Sequence, residues 1–243
     1  MIDLIGAVAL GAASALVVFV YIHWLAFSNG RRGAVAGVIG AWFALVVACG
    51  ATGVLGAAHG IGPAGLGIAV LLPLAVFSYF SMRTGMLGEA LGAIPLPVLI
   101  GVHAMRLLGV FFVLLFWEGR LPAPFAPAAG WGDMLIGATA LPVAYLAATR
   151  APAWRTVTLV WNALGLFDLA DAIALGAASA PGVPFGLGSQ GANSDPMTML
   201  PWILIPCFIV PLLAHSHLLI FQRLRRSGAA SEQAQPVSQP YRN

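Results

Sequence analysis

The chain has 243 residues, 60% of them hydrophobic and only 8% charged, with a mean hydropathy of +0.94. That balance excludes a soluble domain. All 11 basic residues are arginine, which also excludes a retinal or pyridoxal Schiff base and a P-loop phosphate clamp, since each needs a lysine amine.

A hydrocarbon core about 30 Å thick takes about 20 apolar residues per helix. Runs of that kind extend from Leu4 to Phe27, Ala34 to Ala57, Ala64 to Phe80, Pro97 to Trp117, Trp131 to Ala148, Thr156 to Gly176 and Met199 to Phe221. They are continuous rather than alternating, which disfavours a β-barrel. The expected fold is all-α: a polytopic transmembrane helical bundle of about seven helices over residues 1–221. Residues 222–243, rich in Ser, Gln, Ala and Pro, read as a disordered cytoplasmic tail. The first run begins Met-Ile-Asp, lacks a basic n-region and is too long for a signal-peptide core, so it is read as a mature helix.

Orientation follows from the arginines. Arg31 and Arg32 follow the first helix, Arg83 the third, Arg150 and Arg155 the fifth, and Arg223, Arg225, Arg226 and Arg242 the seventh. The alternate loops hold only Arg120. The expectation is an N-terminus outside and a C-terminus in the cytoplasm. The basic balance is thus a topology signal, and no nucleic-acid partner is expected.

Arg106 sits near the middle of the fourth run, where a charge costs about 2.5 to 3.5 kcal/mol and should face protein or water. Asp168 in the sixth helix lies at nearly the same depth, offset by roughly 4 to 5 Å, and is the expected counter-ion. Asp171 stands one turn further out. With Glu118 and Asp133 it would form an acidic vestibule leading to Arg106. Equally, Asp133 in Gly-Trp-Gly-Asp would simply open the fifth helix, where an acid favours the positive end of the dipole.

On the other side of the midplane, His103 shares a helix face with Arg106, and Asn162 and His215 reach a similar depth. Two histidines at one depth on different helices could hold both axial positions of a haem b. His217 lies about 200° around from His215, so only one of the two is expected to face the interior. The bland alternative is that these side chains only hydrogen-bond across helices.

The seventh helix, with Pro201, Pro206 and Pro211 ahead of His215, is the one expected to be broken. Cys49 and Cys207 read as small core hydrophobes, with no ligand spacing. No HExxH occurs, and Gly186-Leu-Gly-Ser189 is a loop segment rather than a nucleophile elbow.

Arg106-Leu-Leu-Gly109, Gly119-Arg-Leu-Pro122, Phe125-Ala126 and Ala129-Gly-Trp-Gly-Asp133 form a stretch that resembles one in an uncharacterised family of small bacterial multi-pass membrane proteins. The resemblance carries no assigned activity. It implies that Arg106, Gly109, Pro122 and Asp133 belong to one shared feature around the fourth and fifth helices.

The expected function is that of a small permease or ion-coupled transporter in a bacterial cytoplasmic membrane. Its pathway would run through Arg106, Asp168, Asp171, Asn162 and Asp133, and its partners would be the lipid bilayer and a small-molecule or ion substrate. Two alternatives stay open. One is a structural or sensory subunit without its own chemistry, associated with another membrane protein or with copies of itself. The other is a redox protein linked to quinone, or to haem held by His103 and His215.

Overall fold

The seven apolar runs form seven crossings in a computed structural model that describes residues 1–25, 27–57, 60–82, 85–183, 186–187 and 191–233. The first three are single helices, α1 (Ile2–Trp24), α2 (Asn29–Thr52) and α3 (Gly62–Met82). A short α4 (Met86–Leu91) leads to the fourth crossing, which is composite: α5 (Leu96–Gly101), a 3₁₀ stretch (Val102–Gly109) and α6 (Val110–Trp117). Then come α7 (Phe125–Thr149) and α8 (Trp154–Ala178), and a π-helical turn (Ile205–Ile209) opens α9 (Val210–Gln233). Among the described residues there is no strand, and the protein is an integral membrane protein built as an all-α bundle. Arg83, Gly188, Ser189, Arg242 and the tail over 234–243 lie outside the described residues.

Of the boundaries that differ from expectation, two matter most for the site and the C-terminal segment. The fifth crossing begins at Phe125 rather than Trp131, because Pro127 sits in the first helical turn, where its missing N–H costs nothing. The last helix continues to Gln233, past the end expected at Phe221. No helix breaker separates Phe221 from that segment. Its first turn is also anchored: Leu224 is buried, and the Arg155 guanidinium donates to its carbonyl at 2.9 Å.

The last crossing is the axle of the bundle. Inside the protein, 72% of its span is buried, against 17% for α2 and for α3. Trp202, Phe208, Leu212 and Leu213 are almost completely enclosed. Such a helix is apolar all round and is covered on every side. Hence both His215 and His217 are fully buried, and the expectation that only one would face the interior is overturned. The break expected in this helix is present as the π turn, which contains Pro206. Proline removes an N–H from the helical ladder, and a wider turn absorbs the loss.

Candidate functional site

Arg106 lies in the 3₁₀ stretch with its side chain 1% exposed. Its Nε donates to Asp133 Oδ1 of α7 at 2.6 Å, and an Nη donates to the Asp168 carboxylate of α8. The other Nη donates to the Gly165 carbonyl at 3.0 Å and to His217 Nε2 at 3.3 Å. Four of the five guanidinium protons are thereby used. The expected pairing with Asp168 is present, and Asp133 is a second partner. Its alternative reading as a helix-opening acid is corrected, because the earlier start of α7 carries it more than two turns inside.

This triad requires close helix contact. A Cβ on Gly137 of α7 would stand 2.6 Å from the Leu107 backbone nitrogen. One on Gly109 would stand 2.9 Å from the Gly130 carbonyl and 2.5 Å from Asp133 Cβ. Glycines thus let two backbones touch, as membrane helices do where small residues face each other.

The hydrogen-bond pattern fixes the protonation of His217. An arginine can only donate, so Nε2 of His217 accepts. Its Nδ1–H must then donate to Asn162 Oδ1, 2.7 Å away, while the Asn162 amide donates to the His217 carbonyl at 3.0 Å. Gly165 leaves the room for this ring, since a Cβ there would meet His217 Cε1 at 2.5 Å. His103 lies against His217, ring centroids 4.1 Å apart. Ser216 gives its only proton to the Leu213 carbonyl at 2.7 Å, so His103 Nε2–H donates to Ser216 Oγ, also at 2.7 Å. His103 Nδ1 is left as a buried acceptor without a partner.

Residues 63–225, more than half of the chain, match a family model described as Domain of unknown function (DUF8737). The chain belongs to this family. No curated protein and no solved structure matches it. The DUF8737 region holds Arg106, Asp133, Asn162, Asp168 and the buried His103, His215 and His217, whereas α1 and α2 lie outside it.

His215 belongs to a different cluster of the DUF8737 region. Its Nδ1 lies 3.1 Å from Tyr21 Oη and its Nε2 2.9 Å from Ser81 Oγ. His103 packs against Ser216 and His217 whereas His215 meets Tyr21 and Ser81, so the two rings take part in separate hydrogen-bond clusters.

Asp171 makes no hydrogen bond with the triad, though its charge bears on Asp168. Glu118 takes no part in the hydrogen bonds around Arg106. It pairs with Arg120 at 3.7 Å, in a surface cluster where Arg120 also holds Asp3 at 2.9 and 3.1 Å and Trp202 donates to Asp3 at 2.8 Å. The hydrogen bond to Asp3 raises the Arg120 pKa above its ordinary value.

Sequence reasoning missed His217 as a direct partner of Arg106, and the Gly165 carbonyl. A signal existed for Gly165: it stands three residues from both Asn162 and Asp168 and therefore shares their face.

Proposed function

We propose that the protein is an ion-coupled transporter, multi-pass in a bacterial cytoplasmic membrane with its N-terminus outside, and that the coupling ion is a proton taken up by the Asp133–Asp168 pair. The observation that carries this reading is the charge balance. One guanidinium serves two carboxylates, leaving one net negative charge at mid-bundle, where an uncompensated charge is costly. A single proton removes it.

Accessibility favours the same assignment. The aspartate side chains are 15% and 17% exposed, whereas Arg106 is 1% exposed, so the acids stand nearer than the base to any group that approaches the triad. A cavity of about 30 Å³ borders Arg106 and Asp133, which is room enough for water. Two irregular backbone segments flank it, the 3₁₀ stretch and the π turn, and both kinds of segment commonly serve as hinges at functional sites.

A second reading is a membrane subunit in which the triad only fixes helix register. It is favoured by the near-complete use of the Arg106 protons. The deciding experiment reconstitutes the full chain in liposomes with an internal pH dye and a panel of small solutes. Proton flux should fall at least about tenfold in Asp168→Asn and Asp133→Asn variants that still melt like the wild type. Flux at background in the wild type with every solute would favour the subunit.

A further inference from the structure

Away from the triad, α1 and α2 run side by side without closing on each other. Between them lies a cleft of about 760 Å³, floored by Phe208 of the last crossing. Its deep walls come from Gly11, Val18, Ile39, Gly40 and Phe43, and a Cβ built on Gly11 or Gly40 meets nothing within 4 Å. The Ser14 hydroxyl on this wall is buried and finds no partner on α2. At one end the cleft changes character, because His23 and Arg32 line its mouth.

That mouth is positive and uncompensated. Arg32 uses its Nε on the Leu25 carbonyl at 2.8 Å, and Arg31 touches only the sulfur of Met86. Among the described residues neither arginine has a carboxylate partner. The N-terminus of α2 adds its own partial positive charge at the same place. From His23 to Gly11 the cleft runs about 18 Å, roughly one leaflet of a hydrocarbon core about 30 Å thick.

We infer that this cleft is a binding site for an anionic phospholipid, with one acyl chain between α1 and α2 and the phosphate on Arg31 and Arg32. An apolar slot of leaflet depth fits the chain, and the unpaired arginines fit the phosphate. The arginines also weigh against a second copy of the protein as occupant. A two-fold axis along the bundle would bring another Arg31–Arg32 pair onto the first. The site is independent of the proton chemistry at Arg106.

Native mass spectrometry of the full-length protein tests the inference, after titration with vesicles of phosphatidylglycerol and, separately, phosphatidylcholine. The wild type should retain phosphatidylglycerol preferentially. Arg32→Gln should weaken that retention about fivefold, and Arg31→Gln with Arg32→Gln about 25-fold. Gly40→Phe, which fills the slot and leaves both arginines in place, should abolish retention while the melting profile stays unchanged. Equal retention of both lipids, retention unaltered by Gly40→Phe, or a lipid-free dimer joined through α1 and α2 would each overturn it.

Discussion

The two faces of the last helix carry the same residue type and behave differently. On one face His217 meets Arg106, an obligate donor, and that contact fixes the protons of His217 and of the Asn162 amide facing it in one arrangement. On the other, His215 meets two hydroxyls, Tyr21 and Ser81, each of which also reaches a backbone carbonyl, Leu212 at 2.9 Å and Ser78 at 3.1 Å. Both tautomers of His215 then make the same number of hydrogen bonds, one leaving the Ser78 carbonyl without the Ser81 proton and the other leaving Leu212 without that of Tyr21. The first face is closed by α7 and α8. The second adjoins an apolar hollow of about 330 Å³ lined by Ile39, Phe77, Phe80 and Leu91 among others. A permanent charge makes a buried polar network single-valued, and neutral partners leave it degenerate.

If the closed face is the rigid half, the largest effect should follow from removing its charge. Arg106→Leu leaves two buried carboxylates facing each other, and the expected loss is about 3 to 5 kcal/mol, seen as a lowered denaturation midpoint in detergent. Adding Asp133→Asn and Asp168→Asn to that variant should recover a large part of the loss. No recovery would mean that Arg106 acts through packing and not through charge.

Next in size is Asn162→Leu, which strips the His217 Nδ1–H of its acceptor and should cost about 1 to 3 kcal/mol. Because Arg106 still donates to Nε2, the ¹⁵N spectrum of His217 should keep the single Nδ1–H form, with only the Nδ1 resonance shifted by loss of its acceptor. Gly137→Val should follow, at about 1 to 3 kcal/mol, by forcing α7 off the Leu107 backbone. It should also lower proton flux, since Asp133 on the same helix moves away from Arg106.

Much of the closed face was legible as spacing. His103, Arg106 and Gly109 recur every third residue, as do Asn162, Gly165 and Asp168, and Gly130, Asp133 and Gly137 are three and four apart. Each set lies on one helix face, polar centre and glycine together. Depth matching found Asp168 because both residues sit near the centres of well-bounded runs. It misplaced Asp133, since the proline-rich stretch before Trp131 reads as loop while proline in a first turn is compatible with helix. The expectation that only one of His215 and His217 faces the interior failed for a different reason. Depth gives one coordinate, and azimuth around a helix buried on all sides has no exposed face to calibrate it.

The smallest effect should come from the open face. His215→Phe removes one ring that makes two neutral hydrogen bonds, and the Tyr21 and Ser81 hydroxyls keep the Leu212 and Ser78 carbonyls as acceptors. Since no buried donor is orphaned, the cost should be about 0.5 to 1.5 kcal/mol by the same denaturation midpoint. Proton flux should be unchanged, whereas His217→Phe, on the opposite face of the helix, should reduce it. A double-mutant cycle between Tyr21 and His215 should give a coupling under about 1 kcal/mol, because each partner has an alternative. A coupling as large as that between Arg106 and Asp168 would mean that the hydroxyls fix His215 as firmly as a charge fixes His217, and the contrast between the two faces would fail.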